Sequence, residues 1–401
     1  MLRLSHLLPL VAICGCADDP QTPAPMDLER LGRAELTPVY ELALVDTTLG
    51  GTLSVGAAIS NSGMIAGYST LSDNTRHAFV WINGEMKDLE TLGGPNSAVL
   101  WPGINNTGRV VGVSFTDQPD PHDAAWSCEA FMGSSDRTCR GFYWDGDVMH
   151  ELETLGGHNG FATAVNNLGQ VVGWAETAFP PFDDSCKDPQ VLTFHAAMWE
   201  PASGTVRALP PLSGDAASAA TAINDRGQVV GISGKCYVAV GDSSARASVL
   251  WESGVPREIP NLGGVTWNTP MDINDAGHVV GFGNIGDDAN GSPQLRAFLW
   301  TGGSSVTEVG PLNENDTLAQ AYGINARGQV VGRSCGAAGC RAFLYDRGVI
   351  HDLNALLETH GARLELARQI NDAGVITGHA VHEGRVKMFI ATPRGHTQPD
   401  A

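Results

Sequence analysis

The chain has 401 residues, with Gly and Pro making 71 of them and charged residues only 17%. That balance excludes a coiled coil or a charge-rich helical bundle, and 42% hydrophobic residues are enough to build a core. The formal charge is −20, and only four basic residues are Lys (Lys87, Lys187, Lys235, Lys387), so binding to a phosphate backbone is excluded as a main role and no nucleic-acid partner is expected.

Residues 1–16 place Arg3 before an apolar stretch ending in small residues and Cys16, the layout of a secretory signal too short to cross a bilayer as a helix. The end Ile13-Cys14-Gly15-Cys16 is similar to a bacterial lipobox and implies that Cys16 is the lipidated first residue of the mature chain. Plain cleavage after Ala17 is the other reading. Residues 17–38 combine Pro with acids and no apolar period, as a flexible tether does. Six cysteines remain in an exported chain, so disulfides are expected rather than a zinc site, which would want C-x-x-C or clustered His. Cys128 with Cys139 and Cys335 with Cys340 close short loops, leaving Cys186 for Cys236.

From 39 to 393 the sequence repeats. One phrase returns seven times: AISNSGMIAG (58–67), GINNTGRVVG (103–112), AVNNLGQVVG (164–173), AINDRGQVVG (222–231), DINDAGHVVG (272–281), GINARGQVVG (323–332) and QINDAGVITG (369–378). Asn followed three residues later by a turn Gly is hairpin chemistry, with Gly in the left-handed region, so these Asn residues read as turn formers. A second element such as HAFVW (77–81) or RAFLW (296–300) and a short fourth strand complete each unit. Strands with consecutive apolar residues are buried on both faces. The expected fold is therefore all-β: a seven-bladed β-propeller of four-stranded antiparallel blades. The seventh unit lacks a fourth strand after 393, whereas YELALVDTTLGG (40–51) has that pattern, so the N-terminal strand is expected to complete the last blade, and residues 394–401 are a tail. An open solenoid is the structural alternative.

The recurring phrase, with H/R-A-F-L-W and D-L-x-x-L-G-G, resembles the HAF-repeat family of extracellular bacterial proteins over nearly the whole span 40–393. The resemblance implies location and architecture and carries no catalytic residues.

Alternating strand direction puts the loops of variable length on one face, and the insertions 113–139, 174–194, 232–246 and 333–340 carry all six of those cysteines. Trp101, Trp126, His158, Trp174, Tyr237 and Trp267 fall on or near that face and are the candidate ligand contacts; packing of the long loops is the plainer role for most of them. The His or Arg opening the third strand (His77, Arg140, His195, Arg296, Arg341) reads as a repeated bond to a neighbouring strand. No catalytic residue, metal ligand or cofactor is identified, and the loop acids Asp117, Asp120 and Asp123 lack a calcium-loop pattern. The expected function is that of an exported, lipid-anchored, monomeric binding or scaffold protein for a glycan or an envelope protein. The alternative is a carbohydrate-active enzyme, a lyase or glycosidase, sited at the channel mouth.

Overall fold

A computed structural model describes residues 39–395 apart from 124–125, 181–189, 236–244, 265 and 287–293, and leaves the side chain of Trp126 undescribed. The signal, Cys16, the tether, Cys186, Cys236, Tyr237 and the residues after 395 lie outside the described residues.

The antiparallel ladders group the described strands into consecutive sets of four. Sheet 1 consists of Gly50–Ile59, Ile65–Leu71, Arg76–Ile82 and Glu85–Asp88. Sheets 2 to 6 repeat the pattern over 93–151, 156–209, 217–259, 268–308 and 318–352. Sheet 7 takes Arg363–Ile370, Ile376–His382 and Arg385–Pro393, and its fourth strand is Tyr40–Val45, which pairs with Arg385–Pro393 in the register Tyr40↔Pro393 to Val45↔Met388. The expected all-β architecture of four-stranded antiparallel sheets is present. It carries one departure: Trp126–Met132 within the 113–139 insertion forms a short α-helix.

Apolar side chains fill the space between neighbouring sheets. Val171, Val172, Val229, Val230, Val279 and Val280 are all buried, as two-sided strands require. Eighteen buried residues of sheets 3, 4 and 5, among them Trp251, Phe298 and Trp300, form one continuous cluster. The residues opening the third strands bond as anticipated, mostly to a carboxylate of their own fourth strand: His77 to Asp88 (2.9 Å), Arg140 to Glu151 (3.3 Å), Arg296 to Glu308 (3.4 Å) and Arg341 to Asp352 (3.5 Å). Disulfides join Cys128 to Cys139 and Cys335 to Cys340. No helix among the described residues is long and apolar enough to cross a membrane.

The seven phrase turns are hairpins of one design. In each, the turn Gly donates its N–H to the carbonyl of the opening residue, as Gly227 does to Asn224 (3.0 Å). These glycines, Gly63 through Gly374, sit at φ between +73° and +88°, which a residue with a Cβ rarely adopts. The glycine that ends each phrase has a different cause. A Cβ on Gly67, Gly112, Gly173, Gly231, Gly281, Gly332 or Gly378 would lie 1.9–2.3 Å from a first-strand carbonyl oxygen, such as that of Thr269 for Gly281. In most sheets the register slips by one residue just past that carbonyl: Ala57, Thr163, Thr221, Met271, Tyr322 and Arg368 are the extra residues of β-bulges. Glycine is the residue that lets the bulged strand come this close.

A candidate ligand cavity and a polar turn ring

Four of the bulged residues, Thr221, Met271, Tyr322 and Arg368, line one cavity of about 300 Å³. A bulge re-aims a side chain out of the regular pleat, so one register slip repeated from sheet to sheet supplies much of this wall. Much of the rest is aromatic: Trp101, Phe131, Trp174, Trp267 and Phe282 line it, with Arg333 beside Arg368, and among the described residues no Asp or Glu lines it. Phe131 lies on the short helix, whose position is fixed by the Cys128–Cys139 bond and by Arg76 Nη1 and Asn96 Nδ2 donating to the carbonyls of Phe131 and Met132 (2.7 and 3.1 Å).

The cavity thus gathers three of the six candidate residues. Trp174 is 3% exposed and stacks on Phe161 at 4.2 Å, with Trp101 edge-on to Phe131 and Phe161 at 5.0 and 5.2 Å. Trp174 therefore serves packing as well as lining, while Trp101 and Trp267 keep part of their surface open. The indole N–H groups of Trp101 and Trp174 have no acceptor. His158 is not among the residues lining this cavity: its ring stands 5.2 Å from that of His122, and its backbone N–H donates to Glu176 (3.0 Å). Trp126 opens the short helix with its side chain undescribed, and Tyr237 lies outside the described residues.

The two arginines were not anticipated. Arg368 Nη1 donates to the carbonyl of Leu100 (3.1 Å) and Arg333 Nε to Gln320 (2.8 Å), which also accepts from the Tyr322 hydroxyl (3.1 Å). Their guanidinium carbons stand 5.5 and 5.9 Å from the Tyr322 ring centre, within cation–π range. Neither makes an ion pair among the described residues. Burial first, then the charges of Arg368 and Arg333, hold nearby His379 neutral, its pKa pushed down to about 3. A signal for these residues was in the repeat: the residue three before each turn Asn reads Ala57, Pro102, Thr163, Thr221, Met271, Tyr322, Arg368, the most variable column in an otherwise fixed phrase.

A second, polar hollow of about 160 Å³ is lined by the phrase turns themselves. Here the Asn residues do more than turn the chain. The side-chain N–H₂ of Asn105 donates to the carbonyl of Asn166 in the next sheet (2.9 Å), Asn166 to Asn224 (3.1 Å), Asn224 to Asn274 (3.0 Å), Asn274 to Asn325 (3.0 Å), Asn325 to Asn371 (3.1 Å), and Asn371 to Ser60 (3.1 Å). An outer circuit runs through the following residue. The N–H groups of Asn61, Asn106, Asn167 and Asp225 each donate to the side chain of the next turn (2.8–2.9 Å), Ala326 donates to Asp372 (2.8 Å), and Asp372 to Asn61 (3.0 Å). These carboxylates are committed to backbone donors. Deeper in, Asp272 accepts from Ile324 N (3.0 Å) and Gln369 Nε2 (2.9 Å), reaching past sheet 6, where Gly323 leaves the room. Complete burial pushes its pKa up to about 6, against the pull of those hydrogen bonds. Among the described residues no group of three or more His, Cys, Asp or Glu is placed to hold a metal ion.

No protein-family model matches the chain, and no curated protein does. Solved structures do. The chain is similar to the acylaminoacyl peptidase of Pyrococcus horikoshii at 12% identity and a TM-score of 0.50, over 86% of this chain and 52% of that one. It is similar also to a prolyl endopeptidase (12%, TM-score 0.45, 90% and 51%) and to a PL25 ulvan lyase (10%, TM-score 0.42, 86% and 95%). The chain spans about half the length of the peptidase structures, and the likeness to the first shows a common, propeller-like fold alone.

Proposed function

We propose that the chain is an exported, lipid-anchored, seven-bladed β-propeller acting as a non-enzymatic binding module, with the aromatic cavity as its ligand seat. Ring closure is supported by the Tyr40–Val45 strand completing sheet 7 and by the turn hydrogen bonds that run from Asn105 through Asn371 to Ser60. Kinship with HAF-repeat proteins, anchoring through Cys16 and display at the bacterial envelope belong to the same reading. The Cys128–Cys139 and Cys335–Cys340 bonds, which persist in oxidising compartments, speak for export.

One observation carries the binding role: residues from sheets 2 through 7 converge on a single apolar cavity containing three tryptophans and, among the described residues, no carboxylate. Two acids flanking a sugar bond, the arrangement a glycosidase needs, are not found among its lining residues. The natural occupant is a compact ring, a sugar residue of a glycan or a ring of an envelope component, stacked on Trp267 and Trp101.

The test is titration of the mature chain with a panel of glycans and small ring compounds, read by tryptophan fluorescence and calorimetry alongside an assay for cleavage. At least one member binds, uncleaved, and Trp267→Ala weakens it ten-fold or more. Cleavage of a panel member, or binding indifferent to Trp267→Ala, overturns the reading.

A further inference from the structure

We propose that the ligand of this cavity is an anion: a ring bearing a carboxylate, with the ring on the tryptophans and the carboxylate received by Arg333 and Arg368. This deepens the binding role proposed above and rests on it.

The argument starts from charge. Acidic residues outnumber basic ones by 44 to 24. Arg246, Arg296 and Arg341 each have a carboxylate partner. Yet two arginines from different sheets point into one half-enclosed, apolar cavity lined by no acid among the described residues. Both are partly buried against apolar walls, where hydration of a guanidinium is reduced and an entering anion supplies the missing counter-charge.

The hydrogen-bond inventory agrees. A guanidinium carries five N–H donors; Arg333 spends one on Gln320 and Arg368 one on Leu100, and Arg368 Nε is buried out of a ligand's reach, so the terminal N–H groups are the ones left to spend. The unspent donors form the planar fork that matches a carboxylate. Gln320 accepts from Arg333, and both guanidiniums lie within cation–π range of the Tyr322 ring, which orients the pair. About 300 Å³ admits one or two six-membered rings and excludes a large lipid or a folded peptide.

A uronic acid and an aromatic acid share this chemistry. The experiment therefore uses two matched pairs on the mature chain: methyl glucuronoside against methyl glucoside, and phenylacetate against phenylacetamide. We expect the acid of at least one pair to bind ten-fold or more tighter than its neutral partner, and the winning pair names the source. Arg333→Gln and Arg368→Gln each remove that preference, the acid losing ten-fold or more relative to its neutral partner, and circular dichroism with thermal melts checks that the variants fold. Arg→Lys at either position retains part of it, since charge survives and the fork does not. Equal affinity of acid and neutral compound in both pairs overturns the anion inference and leaves the ring site standing. No binding by any of the four overturns the inference and the ring site together.

Discussion

The two hollows are built from the same seven phrases, yet they are chemically opposite. The turn-lined hollow takes positions that nearly repeat, Asn at the turn in six copies of seven and an amide or carboxylate after it in all but the sixth, and nearly all its polar groups are bonded within the protein. The cavity takes the column just before the phrase, which holds six residue types in seven copies, and it leaves arginine donors unspent. Fixed residues with saturated bonds serve the scaffold, and variable residues with unsaturated bonds are available to a ligand. The comparison can be broken at several points, and the expected effects differ in size.

Gly281→Ala tests both sides at once. Its Cβ would meet the Thr269 carbonyl oxygen at 2.1 Å and the Phe298 ring at 3.0 Å, so the bulge that aims Met271 into the cavity has to move. A stability loss of about 4 kcal/mol in denaturant titration is expected, with loss of ligand binding in the fraction that folds. Gly303→Ala is the control: its Cβ would meet nothing within 4 Å, and a change within about 0.5 kcal/mol follows. If both variants behave alike, close backbone approach is not what the phrase-ending glycine is for.

Asn224→Ala comes next. Asn224 Oδ1 accepts from the N–H groups of Arg226 and Gln228, and its Nδ2 donates to Gln228 and to the Asn274 carbonyl, which is buried with the bond. Removing all four leaves turn donors and a buried acceptor unsatisfied, for about 3 kcal/mol. Asn224→Asp keeps the acceptor half and loses the donor to the next sheet, so it should fall between the variant and the wild type. Binding by the cavity should survive in both, since neither touches it.

Much of the scaffold was legible in the sequence and little of the site. Asn-x-x-Gly announces a hairpin through local chemistry alone, and Val-Val-Gly announces a strand buried on both faces. The bulge does not announce itself, because a one-residue register slip is decided by pairing between strands. Tyr322 and Arg368 therefore look like ordinary strand residues until the slip is seen. The helix Trp126–Met132 was also hidden: at seven residues it is below the length at which a helix stands alone, and it is held by a disulfide and by Arg76 and Asn96. Tryptophans drew the eye to the cavity for composition alone, which is why Trp101, Trp174 and Trp267 were found and the two arginines were missed.

Acidity separates the two hollows in opposite directions. Asp272 has its pKa raised to about 6 from 3.8, so its share of stability is complete below pH 4 and is lost as pH rises through 6. His379 is lowered from 6.5 to about 3, so its share is complete above pH 6.5 and is lost as pH falls toward 3. Each is worth on the order of 2 kcal/mol across its window. Between pH 4 and 6 the two contributions oppose each other, so urea midpoints measured from pH 4 to 8 should rise more steeply with pH over that range in Asp272→Asn and less steeply in His379→Gln. Unchanged slopes would mean that water reaches both groups.

The smallest effect is the most pointed, because the chain already contains the experiment. At the outer circuit of the turn ring, Asp225 receives the Asn167 N–H (2.8 Å) and Asp275 receives that of Asp225 (2.9 Å), but the equivalent of Asp225 in sheet 6 is Ala326, so the Asp275 N–H has no side-chain acceptor there. The ring tolerates that break because the site is exposed to water, which replaces the bond. Ala326→Asn should therefore complete the circuit and raise stability by about 0.5 kcal/mol, while Asn avoids a fourth carboxylate beside Asp275 and Asp372. The same substitution should leave cavity binding untouched. A gain several times larger would mean that the outer circuit closes the ring as firmly as the buried asparagines do, and the division between a saturated scaffold and an unsaturated site would then need redrawing at its rim.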